Sequence, residues 1–67
     1  MNIETKRYKI ASAGNGIPGH TVTDKRGGRS CYVEAGKVPS VNALAMMSES
    51  AFDKTAAGLM ANNGESI

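Results

Sequence analysis

The chain has 67 residues, 40% of them hydrophobic, with eight Lys and Arg against six Asp and Glu for a formal net charge of +2. A chain of this size buries only about 60% of the surface its unfolded form exposes, so it admits one domain with a thin core. A single cysteine excludes an intrachain disulfide, one Cys with one His makes no metal cluster, and no apolar run approaches the roughly 18 residues of a membrane span.

Alternation from Glu4 to Ser12 predicts a first strand, with Tyr8 and Ile10 on one face and Arg7 and Lys9 on the other. Ala13 to Gly19 is rich in residues that break regular structure and is expected to be a loop. His20 to Lys25 and Arg29 to Ala35 return to an extended pattern, joined by Arg26-Gly27-Gly28-Arg29. A two-residue Gly27-Gly28 turn sets Val22 opposite Val33, Thr23 opposite Tyr32 and Asp24 opposite Cys31. Val22, Cys31, Val33 and Ala35 then share an apolar face, while Thr21, Thr23, Lys25, Ser30, Tyr32 and Glu34 share a polar one.

The chain changes character at Val38-Pro39-Ser40. Ser40 is an expected N-cap. Beyond it, Val41, Leu44, Met47, Phe52, Ala56, Leu59 and Met60 follow helical spacing, interrupted at Ser48-Glu49-Ser50. Ser50 with Asp53 offers a local cap, so the segment is either one bent helix over 41–62 or two short helices meeting near Ser48. Asn62-Asn63-Gly64 supplies a stop. The expected fold is α+β: a three-stranded antiparallel sheet with this helical segment packed on one face. It forms a single domain over 1–64, with a basic β-layer at 1–37, a helical layer at 38–63 and a flexible tail at 65–67.

Charge is divided as the layers are. Residues 1–29 carry a net charge of +4 and residues 30–67 carry −2. Gly14-x-Gly16-x-x-Gly19 matches the dinucleotide-loop string, but Pro18 and a β-rich segment follow where a phosphate-facing helix is required. A thiol opposite Asp24 is a poor nucleophile, since a neighbouring carboxylate disfavours the thiolate. No catalytic, cofactor or metal residues are therefore expected. Arg26 and Arg29, set across the turn, form a candidate anion-docking tip that Arg7, Lys9 and Lys25 extend. Tyr32 on the polar face could stack on a base, and Asn15 represents the glycine loop. Gly58 costs about 1 kcal/mol relative to Ala inside a helix, which marks Ala57, Gly58 and Ala61 as a self-association surface and predicts a homodimer.

Tyr32-Val33-Glu34-Ala35-Gly36 is similar to a stretch in one family of small anti-CRISPR proteins that block type I-F surveillance complexes, and the chain resembles a small phage product in general character. The resemblance covers five residues and implies a class of function, that of occupying a surface on something much larger. Members of that family are acidic, whereas this sheet half is basic, so no functional residue is carried over. The expected function is a non-enzymatic inhibitor that docks on a larger protein or nucleoprotein complex through the basic hairpin and glycine loop. A small nucleic-acid-binding module using the basic sheet face is the alternative. The lone thiol and the absence of a signal-peptide pattern after Met1 predict a complete cytoplasmic product, in the host cytoplasm if phage-encoded.

Overall fold

The computed structural model describes residues 2–62 and the backbone of Glu65 and Ser66. Along the chain run β1 (Asn2–Glu4), β2 (Tyr8–Gly14), β3 (Ile17–Asp24), β4 (Arg29–Val33), a 3₁₀ turn (Ala35–Lys37), α1 (Val41–Ala45), α2 (Glu49–Asn62) and β5 (Glu65–Ser66). Every strand pairs antiparallel, and the order across the sheet is β1-β2-β3-β4-β5. The class is α+β, as the patterning implies. The strand count differs: four strands of three or more residues and a two-residue β5 stand where three were expected.

Thr5 creates the additional strand. Its Oγ1 accepts the N–H of Tyr8 at 3.1 Å and of Arg7 at 3.3 Å, while its own N–H donates to the Tyr8 carbonyl at 2.8 Å. Such local side-chain bonds compete with extended backbone. The chain therefore folds back on itself at Thr5, pairing Ile3 with Ile10 and Glu4 with Lys9.

Ala13 to Gly19 is not a loop. β2 continues to Gly14 and β3 begins at Ile17, with Asn15-Gly16 as the turn and a shift of register between Ser12 and Gly14. Gly16 takes φ of +73°, which a residue with a Cβ adopts at a cost.

The β3–β4 hairpin is offset from the expected register by two residues. Val22 faces Cys31, Thr21 faces Tyr32, His20 faces Val33 and Asp24 faces Arg29. Asp24 is the cause. Its Oδ1 accepts the amides of Arg26 at 3.0 Å and Gly27 at 3.3 Å, and its carbonyl accepts from Gly28 at 2.7 Å. These bonds close a four-residue loop, Lys25–Gly28, in place of a two-residue turn. An even offset leaves each side chain on its face, so Val22, Cys31 and Val33 are all fully buried as expected. Ala35 is not among them; it lies in the 3₁₀ turn and is exposed.

The helical segment resolves into two helices meeting at Ser48. Ser40 Oγ accepts from the Ala43 amide at 3.2 Å and starts α1. Ser48, rather than Ser50, starts α2: its Oγ accepts from the Ala51 amide at 3.2 Å and its carbonyl from Phe52 at 2.9 Å. Phe52, Ala56 and Leu59 form the buried stripe of α2 and meet Tyr8, Ile10, Val22 and Val33 from the sheet, with Leu44 from α1. Each large side chain so buried contributes about 1.5–3 kcal/mol. The backbone of Glu65 and Ser66, expected in a tail, instead pairs with Tyr32 and Cys31 of β4. No helix among the described residues is long and apolar enough to cross a membrane.

Candidate functional site

Two turns meet at one end of the sheet. The Lys25 amide donates to the Arg7 carbonyl at 2.7 Å, which fixes the Thr5–Arg7 turn beside the Lys25–Gly28 loop. Lys6, Arg7, Lys25 and Arg26 are thereby gathered on adjacent loops, and all four are exposed. Arg29, the first residue of β4, stands at the same end opposite Asp24, which in turn stands opposite Tyr8. Arg26 and Arg29 do not face each other as the two-residue turn would require, since Arg29 pairs with Asp24 and Arg26 belongs to the loop.

Two of these cations are held by carboxylates. Lys25 Nζ lies 2.7 Å from Glu4 Oε2, and the hydrogen bond and charge of Lys25 keep the Glu4 carboxyl below its ordinary value. Arg7 lies 3.7 Å from Asp24 Oδ2 and stacks over the Tyr8 ring, 5.1 Å from its centroid. Desolvation pulls the Asp24 carboxyl upward, but the Gly27 and Arg26 amides and the Arg7 charge outweigh it, so the group sits below its usual value. Among the described residues, Lys6, Arg26 and Arg29 have no carboxylate partner.

Strand alternation divides the cations between the two sides of the sheet. Lys9 pairs with Thr23 on the outer face, away from the helices, where Thr23 Oγ1 lies 3.0 Å from Ser30 Oγ. Tyr32 is also on that face, opposite Thr21. Its ring lies against Gly19, and its hydroxyl donates to the Pro18 carbonyl at 2.6 Å. Arg29 shares the inner face with Tyr8 and Asp24. There a groove of about 440 Å³ opens between this end of the sheet and the last turns of α2, lined by Tyr8, Asp24, Arg29, Ala57, Met60 and Ala61.

Asn15 stands apart from these cations. It lies at the opposite turn, separated by the length of β3, or about 25 Å. The glycine loop and the basic hairpin thus stand at opposite ends of the sheet. Cys31 is buried opposite Val22, and Asp24 is on Arg29, so the thiol–carboxylate pairing inferred from the shorter turn is replaced. Ala57 and Ala61 are exposed along the groove, while Gly58 is half-buried with nothing within 4 Å of where a Cβ would stand.

Lys6 joins the site although strand alternation alone does not place it there. The signal for it is Thr5, a turn-forming residue directly before Lys6-Arg7 that interrupts an otherwise regular alternation. The groove has no sequence signal, because its sheet wall and its helix wall come from residues roughly thirty to fifty positions apart. Comparison of the chain with family models, with curated proteins and with solved structures finds no match to any of them.

Proposed function

We propose that this chain is a non-enzymatic binding protein that docks on an acidic surface of a larger protein or nucleoprotein complex through the basic end of its sheet. The supporting observation is the Lys25–Arg7 backbone bond of 2.7 Å, which holds two cation-bearing turns together. Like-charged side chains gathered on neighbouring loops repel one another, and an anionic partner relieves that repulsion. Unpaired exposed cations also speed encounter with an acidic surface. Occupation of a partner's surface by so small a domain suits the phage-type inhibitor that the Tyr32–Gly36 resemblance implies. The docking surface is the basic end, with Lys6, Arg7, Lys25, Arg26 and Arg29, and it excludes Asn15.

The nucleic-acid alternative draws on Lys9, Lys25 and Tyr32, which stand around the open sheet face. Against it, the Tyr32 hydroxyl and ring are already engaged by Pro18 and Gly19. Charge reversal separates the readings. Lys6→Glu with Arg26→Glu should leave the unfolding midpoint unchanged, because both residues are exposed and hydrogen-bonded through no side-chain atom among the described contacts. The double variant, immobilised in lysate of the natural host, should fail to capture the partner that the unaltered chain retains. A nucleic-acid partner would show affinity falling linearly in log salt, with a slope of about −0.9 per phosphate contact. Equal capture by the double variant would remove the proposal.

A further inference from the structure

The geometry points to the groove between α2 and the turn end of the sheet as a receptor for a single carboxylate side chain, Asp or Glu, presented with an apolar neighbour by the partner protein. This rests on the proposed docking at the basic end and specifies where the partner is anchored.

Size, lining and charge lead to the same occupant. A volume of about 440 Å³ falls within the range of about 300–1,000 Å³ typical of ligand sites. Tyr8, Ala57, Met60 and Ala61 offer ring, thioether and methyl surface along its length. Most of the exposed lining is polar, so these side chains, with Tyr8 only 5% exposed, supply a short apolar edge for the stem of the guest residue. The polar part of the lining is Arg29 and Asp24, with Arg7 behind Asp24 at 3.7 Å. Arg7 and Asp24 offset one another, whereas Arg29 has no carboxylate partner among the described residues. Among the described residues, one guanidinium is thus left without a carboxylate within salt-bridge distance. Its planar fork of donors fits a carboxylate in bidentate geometry.

Asp24 decides against nucleic acid in this groove. A phosphodiester chain would bring several negative charges past a carboxylate that is fixed by the Arg26 and Gly27 amides at 3.0 and 3.3 Å and so cannot turn away. A lone carboxylate need approach only Arg29. The small side chains of Ala57 and Ala61 keep the groove open, and both sit on an exposed face of α2 where larger residues would be tolerated by the fold.

The test uses a displayed library of random linear peptides selected against the intact chain, followed by amide chemical-shift mapping with the enriched peptide. Enriched sequences should share an Asp or Glu beside an apolar residue, with shifts centred on Tyr8, Arg29, Ala57 and Ala61. Arg29→Gln and, separately, Ala57→Leu should each weaken the peptide at least tenfold, while Ala45→Leu on exposed α1 should not. A circular-dichroism spectrum and an unfolding midpoint matching those of the unaltered chain keep the variants interpretable. Peptides without a carboxylate, equal binding to Ala57→Leu, or no enrichment over an unrelated domain would overturn the inference. An oligonucleotide shifting the same groove amides would overturn it as well. If Lys6→Glu with Arg26→Glu abolishes partner capture while the groove variants do not, the docking proposal stands and this inference alone falls.

Discussion

Replacing Gly19 with alanine should destabilise the fold by about 3–5 kcal/mol, from two causes that can be measured apart. Gly19 holds φ at +101° within β3. A residue with a Cβ kept in that region costs about 1–3 kcal/mol. The added Cβ would also stand 2.5 Å from Tyr32 Oη and 2.7 Å from Cζ, well inside contact distance. The ring would have to swing off the sheet and release its 2.6 Å bond to the Pro18 carbonyl. That bond contributes about 1 kcal/mol, and the ring's lost burial adds an amount on the order of 1 kcal/mol. A domain of this length has a total stability of roughly 3–10 kcal/mol, so the change is a large fraction of it. Urea unfolding of Gly19→Ala, Tyr32→Ala and the double variant gives the cycle. Without the ring only the backbone strain remains, so the cost of Gly19→Ala should fall by about 1–2 kcal/mol in the Tyr32→Ala background. Equal cost in both backgrounds would refute the packing half. A cost below about 1 kcal/mol in the Tyr32→Ala background would refute the strain half.

Ser48→Ala should cost about 1 kcal/mol through loss of the α2 cap, while Ser50→Ala stays within about 0.5 kcal/mol; the reverse order in chemical denaturation would place the cap at Ser50. His20 Nδ1 is buried without a hydrogen-bond partner, and burial lowers the His20 pKa from 6.5. Its neutral form is the folded one, so stability should be complete above about 6.5 and decline as pH falls through the depressed folded value. Glu4 and Asp24, both lowered, should add a further decline below about 4.5. A urea midpoint that rises between about pH 7 and 5 would contradict the His20 assignment. Cys31, with no exposed surface, should react slowly with a thiol reagent until the chain unfolds; rapid labelling of the native protein would mean that β4 presents its other face.

What the sequence determined by itself was which side chains point inward. Side-chain direction in a strand has period two, so Val22, Cys31 and Val33 share the buried face under the expected register and under the observed one, two residues away. The helical stripe of Phe52, Ala56 and Leu59 and the Ser40 cap were legible for the same reason: each follows from spacing along a few consecutive turns. The first hairpin and the four-residue loop were less so, because Thr5 and Asp24 reshape the backbone through side-chain bonds that alternation does not record. Asn15-Gly16 was readable as a hairpin turn but was obscured by the glycines on either side.

Which residues share a site follows from how the strands and helices pack, not from local spacing. Register sets Arg29 opposite Asp24 and so within reach of Tyr8, and the length of β3 places Asn15 at the far end from the cations. The path of α2 across the sheet brings Ala57 and Ala61 to Arg29. Such meetings depend on how distant segments pack, and a local pattern constrains packing only through the faces it buries. A thin core leaves many residues outside that constraint, and the candidate binding residues are among them.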